Sequence, residues 1–540
     1  MPTSGRLHDH AASASVLPVW LLLIPLWLLL VVLAVGFVLR LLFPLPRRQE
    51  PPRLPLPELP EGQGTRLSGA LRHLVRLHSG LSGILPLSEA GAALAARMLL
   101  LRAADRSVDL QYYIWQGDFS GRLLLEELRA AADRGVRVRL LLDDNGTWGL
   151  DRELAQLDAH PGIEVRLFNP FTIRRPKAIG YAMDPWRLNR RMHNKSMTVD
   201  NAATIVGGRN IGDEYFGIGE NSQFADLDVV AVGSIVAEVT ADFERYWEAE
   251  ASYPLTQFLK AAAGRSEVRP KGGSLASKLA RDHRRELAAS PLAGLAAGRP
   301  PVFEWARVRI VSDDPAKALG RVRQGGLLID KLFPVMGNPA RCLSLVSPYF
   351  VPTARGRDEL VALAGAGVEV TVLTNALDST NQALVHAGYA KHRRRLLQGG
   401  VRLFELKGDG KADLSVGASA SKPMARPAIR SGATSLHAKT FSADRKMFFV
   451  GSFNFDPRSA LLNTELGFVI ESGVLAGRLQ ELLEGPVAGI AYEVRLSGRH
   501  LLWVEQTTDG EQIYHHEPHT GPLQRAIIVG LSWLPIDWLL

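Results

Sequence analysis

HNKSMTVD at residues 193–200 and HAKTFSAD at residues 437–444 follow one pattern, His-x-Lys-x4-Asp, and the division of the chain follows from them. Seventeen residues past each histidine stands an asparagine, Asn210 in GGRN and Asn454 in GSFN. An acid comes later in each copy, Asp226 in FADLDVV and Glu465 in NTELGFV. A single His-x-Lys arises by chance and carries no message. Two copies that agree in spacing, in the asparagine offset and in the later acid mark a duplicated chemical element, not surface histidines on edge strands.

The flanks repeat as well. SVDLQYYIW (107–115) reads as a strand, Gly121–Arg134 as an amphipathic helix and VRVRLLLDD (136–144) as a second strand. After residue 300 the same order returns in LSLVSPYFV (343–351), Gly356–Ala366 and VEVTVLTNA (368–376). Tyr113 and Tyr349 take matching places, as do Gly135 and Gly367. Strand–helix–strand order implies parallel pairing with right-handed crossovers. The expected fold is α/β, with two lobes related by a pseudo-twofold forming one bilobal catalytic unit behind a single N-terminal transmembrane helix. The expected divisions are a tail and anchor (1–43), a Pro-rich spacer (44–64), a first lobe (65–250), a connector (251–300), a second lobe (301–510) and an apolar tail (511–540).

Residues two apart on a strand point to the same side, so His193 and Lys195 are expected to face one pocket, and His437 and Lys439 likewise. A pseudo-twofold would gather these four groups with Asn210 and Asn454 around one point rich in donors and positive charge. Such a point suits a phosphoryl group whose oxygens gain charge in the transition state, and it needs no metal or other cofactor. One imidazole can attack phosphorus in line and form a phosphohistidine. The other, starting protonated, gives its proton to the leaving alcohol and later takes one from the incoming alcohol. The residue types leave open which histidine does which. Asp226 and Glu465 are the candidates for fixing the histidine tautomers. Asp200 and Asp444 complete the catalytic motif, yet at five residues past the lysines they are expected to tie down a turn. Tyr113 and Tyr349 are candidates for lining the substrate pocket, with ordinary core packing as the competing reading. Asp213, Glu214 and Tyr215 follow Asn210 closely enough to shape an acceptor pocket. Asp143–Asp144–Asn145 reads as loop anchoring rather than a metal site, and His515, His516 and His519 lack a fourth ligand.

Composition narrows the partners. The chain has 540 residues, 22% of them charged, and a formal net charge of +8, a mild bias toward anionic partners. Its one cysteine, Cys342, excludes an internal disulfide framework and Cys-based metal sites. Leu17–Leu39 is uncharged and long enough to span a bilayer, too long for a secretory signal and without a cleavage site after it. Arg40, Arg47, Arg48 and Arg53 follow it while only Arg6 precedes it, which places the catalytic part in the cytoplasm. Pro44–Pro60 reads as a stiff spacer. Lys407–Thr434 lacks periodicity and reads as a surface loop, either a lid or a plain insertion. Arg525–Leu540 is apolar but too short to span, so it either packs on the core or touches the membrane.

The duplicated motifs resemble the phospholipase D superfamily over roughly residues 90–490. GGRNIGDEYFG (207–217), FADLDVV (224–230) and GSFNFDPRSALLNTELG (451–467) are similar to the bacterial cardiolipin synthases, particularly the C-type branch. The resemblance implies a phosphatidyl transfer, with phosphatidylglycerol as acceptor and phosphatidylglycerol or phosphatidylethanolamine as donor. It further implies His193 as nucleophile, His437 as acid, bilayer phospholipids as partners and a bacterial inner membrane as location, and it leaves any protein partner open. Hydrolysis to phosphatidic acid is the same chemistry with water as acceptor. A nuclease would want a broad basic face with aromatics, and the basic residues here are scattered. The anchor and its spacer are not part of the family's core pattern.

Overall fold

The computed structural model describes residues 19–50, 52–58, 64–219, 223–262, 284–322, 325–380, 382–408 and 434–534. The chain forms two compact units, one from the segments up to Pro46 and Phe171–Asn189, the other from Arg47–Pro170 and everything after Arg190.

The first unit is helical. Its long helix runs Val19–Leu42, and short helices cover Ile179–Met183 and Pro185–Leu188. Gly36 permits the long helix to approach closely, since a Cβ there would stand 2.0 Å from the Ala182 carbonyl oxygen. The Asp184 carboxylate caps the Arg187 N–H at 3.4 Å and pairs with the Arg187 side chain at 2.9 Å. Phe171–Asn189 therefore belongs with the N-terminal helix, although position in the chain assigned it to the first lobe. The side chains of residues 19–23, 25, 26 and 29 lie outside the description, and among the described residues no helix is long and apolar enough to cross a membrane.

The second unit carries the two repeats. In the first, β2 (Ser107–Ile114), β3 (Arg137–Gly146) and β4 (Ile163–Phe168) run parallel. The helices Phe119–Asp133 and Asp151–Asp158 carry the chain back between them, as parallel strands require. β5 (Ser196–Val199), β6 (Ala203–Gly207) and β8 (Asp228–Gly233) extend the sheet antiparallel from β2, and β1 (Ser82–Leu87) pairs with β8. The second repeat copies this plan. β11 (Cys342–Val346), β12 (Glu369–Asn375) and β13 (Arg402–Leu406) are parallel. β15 (Thr440–Ala443), β16 (Met447–Gly451) and β17 (Leu466–Glu471) follow antiparallel, with β10 (Glu304–Ser312) on β17. Gly135 and Gly367 stand before β3 and β12 at φ of 92° and 91°, a left-handed turn in which a side chain would be strained.

β1 pairs with β10, so the repeats share one sheet. One core cluster draws on both, packing Val206, Val229 and Leu227 with Phe448, Val450 and Phe468. Burying apolar faces of both repeats in one core holds them as one catalytic body.

Two expected boundaries move. β9 (Ser252–Pro254) pairs with β4, so the first sheet continues into the stretch expected to be a connector. β18 (Ala491–Ser497), β19 (His500–Thr507) and β20 (Gly510–Tyr514) extend the second sheet from β13 into the expected tail. In both places a strand without strong alternation is recruited because the neighbouring edge has backbone groups to satisfy. The helix Pro522–Ser532 then packs on the helix Ala383–Ala390 through Ile528, Ala387 and Leu377. Nearly all of the expected Lys407–Thr434 loop lies outside the described residues.

Candidate active site

His193–Lys195 and His437–Lys439 lie in extended chain just ahead of β5 and β15, not within the strands. What aligns them is the opposite repeat. The His437 N–H donates to the Ala225 carbonyl at 2.8 Å, and β7 (Gln223–Ala225) pairs in parallel with β14 (Thr434–Leu436) just before it. The His193 N–H donates to the Thr464 carbonyl at 2.9 Å. Ala225 precedes Asp226 and Thr464 precedes Glu465, so each backbone bond sets an acid of one repeat against the imidazole of the other.

The result is a crossed pair of dyads. His193 Nδ1 lies 2.9 Å from Glu465 Oε2, and His437 Nδ1 lies 2.5 Å from Asp226 Oδ2. Each acid engages Nδ1 and leaves Nε2 outside the carboxylate contact. Lys195 Nζ donates to the His193 carbonyl at 2.6 Å, while Lys439 Nζ donates to the His437 carbonyl and lies 3.3 Å from His437 Nε2. Each histidine also feels the lysine of the other repeat, which places both motifs in one site.

A second device fixes the residue ahead of each histidine. Asp143, at the end of β3, accepts from the Met192 N–H at 2.8 Å and from Arg191 at 3.3 Å. Asn375, at the end of β12, accepts from the Leu436 N–H at 2.8 Å and donates to the Leu436 carbonyl at 3.0 Å. Asp143 and Asn375 each stand eight residues past the paired glycines Gly135 and Gly367, so they are equivalent positions. Asp143 thus anchors backbone, and among the described residues no group of three or more His, Cys, Asp or Glu could hold a metal ion.

The remaining candidates separate. Asp200 accepts from the N–H groups of Asp105, Arg106 and Ser107 at 2.8–3.0 Å, and Asp444 accepts from Ala340, Arg341 and Cys342 at 2.7–3.1 Å. These aspartates pin the far ends of β5 and β15 and are not brought to the imidazoles. The Asn210 amide is committed to the Ile114 N–H at 3.2 Å and the Tyr215 hydroxyl at 3.0 Å. Asn454 is buried with its side-chain oxygen unpartnered among the described residues. The Tyr113 ring packs on His193 at 4.9 Å between centroids. The rings on His437 are those of Tyr215 at 5.2 Å and Phe224 at 4.9 Å, and Tyr349 lies close to Tyr215.

Electrostatics divide the dyads. Burial and then the nearby Lys195 and Lys439 hold His193 well below the usual 6.5, and burial with Lys439 takes His437 down to about 4. Burial lowers Lys195 to about 7 and Lys439 to about 8. Burial pushes Glu465 up to about 7. Burial would raise Asp226 too, but His437 and Lys439 outweigh it and hold the carboxyl below its ordinary value. The acid behind His437 is therefore held in its ionised form, whereas burial favours the protonated form of the acid behind His193.

Residues 98–247 and 335–485 match the family described as "Cardiolipin synthase, PLD-like domain". The chain is 46% identical over 480 residues to cardiolipin synthase C of Escherichia coli strain K12, covering 88% of this chain and 100% of that one. The chain belongs to the phospholipase D-like cardiolipin synthases. An uncharacterized protein of Helicobacter pylori strain J99 is 30% identical over 455 residues, covering 81% of this chain and 85% of its own. The crystal structure of phosphatidylserine synthase from Haemophilus influenzae covers 88% of this chain and 100% of its own, with TM-score 0.53 and 14% identity, a likeness of fold. The protein is accordingly a phosphatidyltransferase of the cardiolipin synthase family, and the two matched segments coincide with its two repeats.

Three contributors escaped the sequence reading. Ser452 donates its hydroxyl to Glu465. Arg209 binds the carbonyls of Leu87 at 2.7 Å and Asp226 at 2.6 Å, holding the turn that bears Asp226. Asn375 was passed over altogether. Aligning the two repeats residue by residue, GGRN on GSFN and Asp143 on Asn375, would have pointed to all of them.

Proposed function

We propose that this enzyme makes cardiolipin by moving a phosphatidyl group onto phosphatidylglycerol through a phosphohistidine on His193. The observation that carries the reading is the pair of crossed dyads with unequal acids. His193 Nδ1 is held by Glu465, which leaves Nε2 to attack phosphorus. Burial and the nearby Lys195 and Lys439 keep His193 neutral and nucleophilic. His437 faces an ionised carboxylate and is the better proton carrier. Burial and Lys439 keep it neutral, and the negative charge of an arriving phosphodiester raises its affinity for a proton.

In the first step the His193 Nε2–P bond forms, the bond from phosphorus to the headgroup oxygen breaks, and the His437 proton goes to that oxygen. In the second, His437 takes the proton of a phosphatidylglycerol hydroxyl, its oxygen bonds phosphorus, and the N–P bond breaks. Lys195 and Lys439 lie where they can offset the charge gathered on the phosphoryl oxygens. The donor is phosphatidylglycerol, releasing glycerol, or phosphatidylethanolamine, releasing ethanolamine.

The N-terminal helix serves as a bilayer anchor in the inner membrane, with the catalytic unit on the cytoplasmic side. The uncharged run Leu17–Leu39 of the sequence supports this, and Trp27, Phe37 and Leu41 are exposed along the helix. Retention of the protein in membranes washed with alkaline carbonate is the expected result, and release would remove the anchor.

The deciding measurement is lipid mass spectrometry on phosphatidylglycerol vesicles, with and without phosphatidylethanolamine. Wild type is expected to form cardiolipin, and His193→Ala and His437→Ala are expected to form none. Phosphatidic acid as the only product would overturn the transfer reading in favour of hydrolysis.

A further inference from the structure

The helix Pro522–Ser532 is fixed on one side and bare on the others. At its base Glu517 is buried between His386 Nε2 at 3.0 Å and Arg393 Nη1 at 2.5 Å, and Arg525 donates to the Thr520 carbonyl at 2.6 Å. One side docks Ile528 and Leu531 against Leu377, Ala387 and Ala390. Yet Leu523 is 75% exposed, Ile527 51%, Val529 52% and Trp533 82%. Three large apolar side chains on one short helix and a tryptophan at its end form a patch, not the scattered single exposures that ordinary surfaces carry.

Its position ties it to the catalytic centre. Leu377, against which Ile528 packs, lies two residues past Asn375, and Asn375 clamps Leu436, the residue before His437. The helix beneath it, Ala383–Ala390, exposes Leu384 and leads into Lys391, Arg394 and Arg395, all exposed bases. An apolar helix face with a tryptophan at its end, carried on a segment that continues into exposed cations, has the chemistry of an element lying in a lipid–water interface. The sequence after Leu534, PIDWLL, is apolar apart from one acid and adds a second tryptophan.

We infer that the Pro522–Ser532 helix is a membrane-surface docking element that seats the second repeat on an anionic bilayer, where lipid headgroups enter the site. The occupant is a phosphatidylglycerol-bearing surface rather than a protein, because exposed bases follow directly on the helix that carries this one. The inference rests on the reading that the substrates are bilayer lipids, and its test separates the two.

The full-length chain, with Cys342→Ser, carries an environment-sensitive fluorophore at Ile527→Cys, or at Asp509→Cys on the exposed β19–β20 turn. In vesicles of phosphatidylglycerol and phosphatidylcholine, the label at 527 is expected to shift to the blue, to be quenched by spin-labelled lipid and to lose iodide quenching several-fold. The label at 509 is expected to stay aqueous. A label at 527 as open to iodide as that at 509 overturns the proposal. So does protection without lipid, whether it vanishes on dilution, meaning a second copy of the chain, or persists, meaning another segment of the same chain. Leu523→Asp with Ile527→Asp is expected to cut turnover on vesicles about tenfold and leave turnover on detergent-dispersed lipid unchanged. Equal losses in both would make the helix merely structural and sink the inference. An aqueous label with cardiolipin formation intact removes the docking element alone. Absence of any lipid product from the parent enzyme removes the functional reading, whatever the label reports.

Discussion

Gly208 in the first repeat and Ser452 in the second occupy the same place, fifteen residues past their histidines, and each faces the acid of its own repeat. At Gly208 there is no room for a side chain, since a Cβ would stand 2.2 Å from Asp226 Oδ1. At Ser452 the hydroxyl donates to Glu465. The longer acid is thus matched with a hydroxyl and the shorter one with bare backbone. The backbone frame is common to both repeats, down to the carbonyl that receives each histidine N–H. Duplication supplies the frame, and divergence at a few side chains gives two equivalent histidines unequal surroundings.

The comparison can be broken most sharply at the acids. Asp226→Asn is expected to lower kcat about a thousandfold, because His437 loses the ionised partner that supports its charged form. Glu465→Gln is expected to cost nearer tenfold, because burial already favours the neutral form of that acid. Equal losses from the two variants would contradict the assignment of roles.

The backbone clamps offer a second contrast, read by denaturant unfolding. Asp143→Ala is expected to lose about 3 kcal/mol, because Arg191 is left in the core without its carboxylate. Asn375→Ala removes neutral hydrogen bonds and is expected to lose about 1–2 kcal/mol.

Acid titration sharpens the difference between the dyads. His437 is held at about 4 in the folded protein against about 6.5 when unfolded, so between those values the unfolded chain binds the extra proton. Its contribution is complete above pH 6.5 and is lost as pH falls toward 4, by roughly 3 kcal/mol at most. Glu465 is raised to about 7, so its contribution is present below its unfolded value and lost as pH rises through 7. Melting temperatures from pH 8 to pH 4 should fall more steeply for wild type than for His437→Gln, and parallel curves would remove the contribution.

The smallest contrast lies at the paired small residues. Gly208→Ala is expected to displace Asp226 and lower turnover about a hundredfold. Ser452→Ala removes one hydrogen bond to Glu465 and is expected to cost about tenfold.

The sequence by itself determined the repeat and the parallel strand–helix–strand halves, and it singled out His193, Lys195, His437 and Lys439 as candidates, because spacing is a property of the chain. It misplaced Ser252–Pro254 and Gly510–Tyr514, since edge strands are recruited by a neighbour's free backbone groups and have no strong pattern of their own. It could set Asp226 and Glu465 beside a histidine in principle, but it could not say that each serves the histidine of the other repeat. The partners are 211 and 272 residues apart, and only the shared sheet and the Ala225 and Thr464 carbonyls bring them together. The two dyads differ in sequence at a few side chains, but their unequal proton affinities appear only in the tertiary structure. Burial and neighbouring charge set proton affinity, and neither exists until the repeats have closed on one another.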